Sequence, residues 1–288
     1  MHIRPMNDVA FHFVFGRNVR KRNLINLLNA ILSETGQAPI LDLAVQETQF
    51  DPELVGMKNC RLDLQAQTID NRLINVEVQV SNQANMEKRS LFYWGKLFAS
   101  QLKAGQDYLE LRKTIAINIL DFPYLGNGKV HSVYKLFELN TFNPLTDVLE
   151  IHFLELPRLH CVNPDLTCPL TRWLLFLSDQ TTPRLREEII MLDKNIQSAS
   201  EDLSRLVLDE HARRAYELRE KALLDERSNL RAARNAGLQE GLKKGQEKGI
   251  QEGTRRLAKA MLLKGLDKDL IREIAGLNQE EIAILLED

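Results

Sequence analysis

The order of hydrophobic periodicities predicts an α/β or α+β core followed by an all-helical C-terminal region. Three observations carry this. Apolar residues early in the chain recur at helical spacing, those across residues 61–80 switch to a period of two, and beyond residue 170 only helical patterns remain.

The elements follow in order. Residues 7–16 start at a capping asparagine, Asn7, and stop at Gly16, which predicts a short helix. Leu24, Leu27, Leu28, Ile31 and Leu32 lie on one face of a second helix over 23–33. Next, Leu62, Leu64 and Ala66 alternate with polar residues; after an Asp70-Asn71 turn signal, Ile74, Val76, Val78 and Val80 do the same. That is a hairpin with one apolar and one polar face. Residues 81–104 read as a long helix closed at Gly105, and 111–122, 130–139 and 148–156 as strands. A loop-rich break at 157–169 precedes helices over 171–178, 183–198 and 201–223. The end of the chain reads as two short helices broken around Gly276-Leu277-Asn278. The expected division is a core at 1–180, a helical region at 181–226 and a basic tail at 227–288.

Composition excludes several classes. Hydrophobic residues make up 44% and charged residues 27%, as in an ordinary globular protein. The apolar runs are too short to span a membrane, a secretory signal pattern is missing, and three cysteines do not suggest a disulfide framework. The expectation is a cytoplasmic protein with no membrane partner. Net charge is −2, but residues 227–264 hold ten Lys or Arg against three Glu. A basic segment on an acidic body is one way to build a DNA-binding protein; a solvated helix face is the plainer reading. Within that segment Gly237, Gly241, Gly245, Gly249 and Gly253 recur every four residues. Each costs a helix about 0.5–1 kcal/mol relative to alanine. Close pairing of two such helices, between protomers, would compensate; a frayed linker is the other reading.

The polar face of the hairpin is where chemistry is expected. Asp63 lies on its first strand, and Glu77 and Gln79 lie two apart on the second. An antiparallel register that sets Asp63 against Glu77 or Gln79 keeps all three on one side. Two carboxylates held this way suit a hard divalent cation, which would acidify a bound water and neutralise charge on a scissile phosphate. Many half-exposed hairpins carry polar residues on their outer face, but Asp is disfavoured in strands.

These residues also carry a resemblance. Asp63 followed by Glu77-Val78-Gln79 resembles the PD-(D/E)XK motif, and the chain as a whole is similar to the Rpn family of recombination-promoting nucleases and transposases. The matching pieces are Asn7-Asp8-Val9-Ala10-Phe11 with Phe15-Gly16, residues 27–32, the "LDLQAQ" and "INVEVQV" strands, Arg89 with Tyr93, Gln101-Leu102 with Gly105 and Tyr108, "EIHFLEL" at 150–156, and the glycine-every-four tail. The resemblance implies a restriction-endonuclease-like core, a central mixed sheet flanked by helices, with an all-helical C-terminal extension. It implies DNA endonuclease activity linked to recombination or transposition, with Mg²⁺ as cofactor and Mn²⁺ or Ca²⁺ as substitutes. By position, Asp63 and Glu77 would bind the metal, and Asp8 would be an additional acid near it. Gln79 stands where the superfamily has lysine, and His12 where related chains often show one. A neutral amide cannot supply lysine's charge, though it can orient water.

Arg89 and Tyr93 share a helix face with Lys96 and are candidate phosphate contacts; a surface pair is the alternative. Arg227, Arg231, Arg234, Lys243 and Lys244 are candidate DNA-backbone contacts in the tail. Cys161 and Cys168 with His152 and His160 match no common zinc spacing. Neither a Walker-type phosphate loop nor support for a nucleophilic triad is present, and 6% aromatics give no base-stacking platform. The expected function is a metal-dependent DNA endonuclease. Its rivals are a catalytically degenerate DNA-binding or oligomerising protein of the same fold and a regulatory module whose tail pairs with a partner helix.

Overall fold

The computed structural model describes residues 3–46, 64–159, 163–278 and 281. Its centre is a six-stranded mixed sheet of β1 (Leu43–Gln46), β2 (Leu64–Thr68), β3 (Leu73–Gln79), β4 (Thr114–Leu120), β5 (His131–Tyr134) and β6 (Leu149–Glu155), in the order β1-β2-β3-β4-β6-β5. The three central strands β3, β4 and β6 run parallel, and the outer pairings are antiparallel. Four residues, 69–72, link β2 to β3. The N–H of Asn71 bonds the Thr68 carbonyl at 2.9 Å, and Asn71 takes φ 64°, the left-handed turn position that asparagine tolerates.

One face of the sheet carries Leu64, Ala66, Ile74, Val76, Ile115, Ile117, Ile119 and Leu154, all buried in the main core. Much of the rest of that core comes from α1 (Asp8–Phe15), α2 (Lys21–Leu32), α4 (Pro169–Leu177), α5 (Pro183–Leu192) and α6 (Lys194–Arg205). Asn7 caps α1, its side-chain oxygen accepting from the N–H groups of Val9 and Ala10 at 2.9 and 3.3 Å. Gly16 ends α1 for a packing reason: a Cβ there would come within 2.6 Å of the buried His12 ring. Each large apolar side chain buried here contributes about 1.5–3 kcal/mol.

The opposite face is covered by α3 (Met86–Ala99), which links β3 to β4, its parallel neighbour. Here Met86 and Trp94 pack with Ala116, Leu120, Leu149, Ile151 and Phe153. The polar face expected of the hairpin is therefore turned inward: Asn75 and Glu77 are buried. A parallel strand in the middle of a sheet needs both faces covered, and α3 covers this one.

The expected helix over 81–104 is shorter, Met86–Ala99; Ala84, at φ 54°, lies outside right-handed helical geometry. The expected helices at 183–198 and 201–223 are divided elsewhere. Asp193, in extended conformation, ends α5 and caps α6 through the N–H of Asn195, and a turn at 206–209 separates α6 from α7 (Glu210–Leu263). The strand expected over 130–139 is limited to β5, while β1 had no forecast. Leu156–Leu159 forms one helical turn inside the expected loop.

By internal contacts the chain divides into two compact units, Met1–Leu223 and Leu224–Asp288. In the second, α7 runs unbroken to Leu263 and is followed by α8 (Lys268–Ala275), which closes at Gly276 with φ 64°. Ala258 and Ile271 are the buried centre of its small apolar cluster. The glycine stripe is helical throughout, with nothing within 4 Å of a Cβ placed at any of its five positions. No helix among the described residues is long and apolar enough to cross a membrane.

Candidate active site

Glu77 lies near the C-terminal end of β3, between antiparallel β2 and parallel β4. The pleat turns Asn75, Glu77 and Gln79 toward α3 and the intervening valines toward the main core. Glu77 is 3% exposed. Its carboxylate forms an ion pair with the Arg89 guanidinium of α3, whose side chain is 13% exposed. A carboxylate buried this deeply stays ionised only beside a compensating charge.

The sequence places Arg89 there through its neighbours. Ser90, the next residue on α3, accepts a 2.9 Å hydrogen bond from the Asn118 amide, and Asn118 is Glu77's register partner on β4. The same amide donates to the His152 carbonyl at 3.0 Å. One turn along, Trp94 donates its indole N–H to the Thr114 carbonyl at 2.8 Å. At the start of α3 the Met86 N–H donates to the Tyr124 hydroxyl at 2.9 Å, and that hydroxyl donates to Glu87. Burial and Glu87 raise the Tyr124 pKa, and the bond lowers that of Glu87. These contacts fix α3 over the sheet. Asn118 and Ser90 were absent from the sequence reading because Asn118 is a single polar residue in the apolar run TIAINIL, and only the β3–β4 register reveals its partner.

Gln79, half-buried, donates its side-chain amide to the Ser81 carbonyl at 3.4 Å, and its backbone carbonyl accepts from the Asp121 N–H at 2.9 Å. Tyr93 places its ring 5.9 Å from the Arg89 guanidinium carbon, and Lys96 on the same helix is exposed. Glu77, Gln79, Arg89 and Tyr93 are thus brought to one side of the sheet. Asp63 lies outside the described residues. It directly precedes β2, whose first residue, Leu64, pairs with Val76, the residue before Glu77.

Asp8 is engaged differently. On α1, it pairs with Arg219 of α7 at 2.7 Å and accepts from the Val9 N–H at 3.0 Å. Burial raises its pKa, and Arg219 works against that shift. Arg227, Arg231, Arg234, Lys243 and Lys244 all lie exposed in the second unit, Lys244 in a surface pair with Glu240 at 2.6 Å. Cys161 and His160 lie outside the described residues. His152 belongs to a hydrogen-bonded network with Glu150 rather than to a cysteine site.

A family model described as PD-(D/E)XK nuclease family transposase matches residues 5–233. The chain belongs to this family. Its mixed sheet flanked by helices is accordingly a restriction-endonuclease-like α/β core, with a long C-terminal helix beyond it. The family is one of nucleases, hydrolases by reaction class. Among curated proteins and among solved structures, none matches. The donors turned toward α3 are a carboxylate and an amide oxygen, the hard donors that suit Mg²⁺ or Mn²⁺. Among the described residues no group of three or more His, Cys, Asp or Glu converges as a metal cage. A metal held here would rest on Glu77 together with a ligand beyond those residues.

Proposed function

We propose that this PD-(D/E)XK family transposase is a metal-dependent DNA endonuclease acting in recombination or transposition. The observation that carries the reading is a buried glutamate on a central strand, ion-paired with Arg89, at the residue where the resemblance sets the motif's second acid. Asp63 and Glu77 would hold Mg²⁺, with Mn²⁺ or Ca²⁺ as substitutes. When bound, such an ion lowers the pKa of a coordinated water and offsets charge on the phosphate.

The chain's own residues do the remaining work. Gln79 orients the attacking water by hydrogen bonding; being neutral, it leaves the charge to the metal. Arg89 and Lys96 hold the phosphate, Arg89 by the two-pronged hydrogen bonding that suits phosphate oxygens, and Tyr93 steadies the guanidinium. Asp8 is a supporting acid for the site, its charge set against Arg219. The basic residues of the second unit, Arg227, Arg231, Arg234, Lys243 and Lys244 among them, bind the DNA backbone without reading sequence, so binding weakens steeply with salt. The protein works in the cytoplasm, with a core at 1–180, a helical region at 181–226 and a tail at 227–288 that joins two copies through the glycine stripe.

Gln79 also supports a second reading, a catalytically degenerate DNA-binding protein of the same fold. Nicking of supercoiled plasmid separates the two. Wild type in Mg²⁺ or Mn²⁺ is expected to nick, and Asp63→Ala and Glu77→Ala to abolish nicking while remaining folded. An intact plasmid across Mg²⁺, Mn²⁺ and Ca²⁺, with DNA binding retained, would establish the degenerate reading instead.

A further inference from the structure

We infer that Arg89 is a resident cation that occupies the Glu77 carboxylate until a divalent metal displaces it; this rests on the proposed metal site. Three observations meet here. Glu77 is 3% exposed, so its charge must be compensated whether or not metal is present. The guanidinium of Arg89 supplies that compensation from a different element, α3, at the end of a long flexible side chain. The same guanidinium already lies over the Tyr93 ring, 5.9 Å from its centre, a favourable cation–π contact that can retain it when the carboxylate is given up.

The consequence is a competition. Guanidinium and dication are both positive, and both seek the oxygens of one buried carboxylate. At contact distance in a poorly screened site their repulsion is large, so metal binding requires Arg89 to withdraw. Linkage makes the coupling reciprocal: whatever Arg89 contributes to the metal-free site is subtracted from metal affinity. Withdrawal also places a donor suited to phosphate beside the metal. Arg89 is therefore a positioning residue that links metal arrival to the readiness of a phosphate contact. Ser90 and Trp94 keep α3 docked during the exchange, since their bonds run to Asn118 and Thr114 rather than to Glu77.

The test uses the full chain, Mn²⁺ as the probe and no DNA. Calorimetric titration of wild type, Arg89→Met and Glu77→Gln is expected to show about tenfold tighter Mn²⁺ binding in Arg89→Met and none in Glu77→Gln, a difference within the usual range of site-to-site coupling. Arg89→Met should also gain more melting temperature from Mn²⁺ than wild type does. Equal or weaker binding by folded Arg89→Met, with wild type binding normally, overturns the competition and leaves the metal site standing. Absence of binding in both folded proteins overturns the metal site and the competition with it. Should Arg89→Met fail to fold, the wild type answers alone. Its arginine side-chain NMR spectrum must show the Arg89 Nε–H signal, assigned through Arg89→Lys, moving as Mg²⁺ is added; a stationary signal at metal saturation overturns the inference.

Discussion

Two buried glutamates sit on opposite faces of the same sheet, and they are held in different ways. Glu150 on β6 faces the main core and is 0% exposed. Its partners close in from its own neighbourhood: the Lys113 and Lys135 ammonium groups at 2.8 and 3.3 Å, the His152 Nε2 at 2.8 Å, and the Gln37 amide. His152 continues to His131 at 2.8 Å, and His131 to Glu34 at 2.7 Å. Burial works against ionising Glu150, yet His152 and Lys113 outweigh it and hold its pKa well below the ordinary carboxylate value. Glu77 on β3 faces α3 and takes its ion pair from the tip of Arg89. Both carboxylates are buried, but one is locked by a network inside the layer and the other takes an ion pair from a long side chain on a covering helix. The first arrangement serves stability. The second leaves room for the exchange of cations inferred above.

Substitutions that treat the two glutamates alike should therefore give unlike results. The largest effect expected is on chemistry: Glu77→Gln should lower plasmid nicking by on the order of 100-fold or more, as loss of a directly acting electrostatic group does. The next is on folding. Glu150→Ala strands two lysines and a histidine around an empty position and should cost about 3–5 kcal/mol, read by chemical denaturation. Near-wild-type stability would show that the Glu150 network is ornamental.

The sequence made much of this legible, and the reasons it stopped are physical. The period of two across 64–79 located the hairpin, and the leucine spacing of 24–32 located α2, because burial on one face imposes those periods. Glu77 and Gln79 emerged as a pair for the same reason. The cation beside Glu77 could not be read that way, since contact between β3 and α3 depends on how a crossover helix lies on its sheet. Arg89 was singled out as a phosphate contact; its ion pair with Glu77 is a tertiary fact. Glu150 was noted only inside a resemblance, because a charged residue in an expected strand gives no sign of the lysines that neutralise it. Helix ends shifted where a capping side chain, Asp193, outweighed continuous helical propensity.

Smaller effects sharpen the contrast. Burial lowers the His152 pKa despite the opposing pull of Glu150, so the folded state favours the neutral ring. Stability should be full above the ordinary imidazole range, near pH ~6.5, and fall as pH drops through it. Glu150, also depressed, adds a further loss below the ordinary carboxylate range. Denaturant midpoints between pH 8 and 2 should show both steps, with the lower one reduced in Glu150→Gln. Smaller still, Ser90→Ala removes the acceptor of one of the two Asn118 amide bonds and should cost about 1 kcal/mol of stability. It should affect nicking more than stability, because α3 carries Arg89; an unchanged rate would separate helix docking from the site.

The most direct measurement compares Glu77→Gln and Glu150→Gln in one experiment, scoring nicking per folded molecule and melting temperature on the same preparations. Glu77→Gln is expected to lose nicking and to melt moderately below wild type, because it strands one guanidinium that keeps the Tyr93 ring, while Glu150→Gln, which strands two lysines, melts further below it and still nicks when folded. Nicking retained by Glu77→Gln, or lost equally in both folded variants, would contradict the division of roles between the two faces of the sheet.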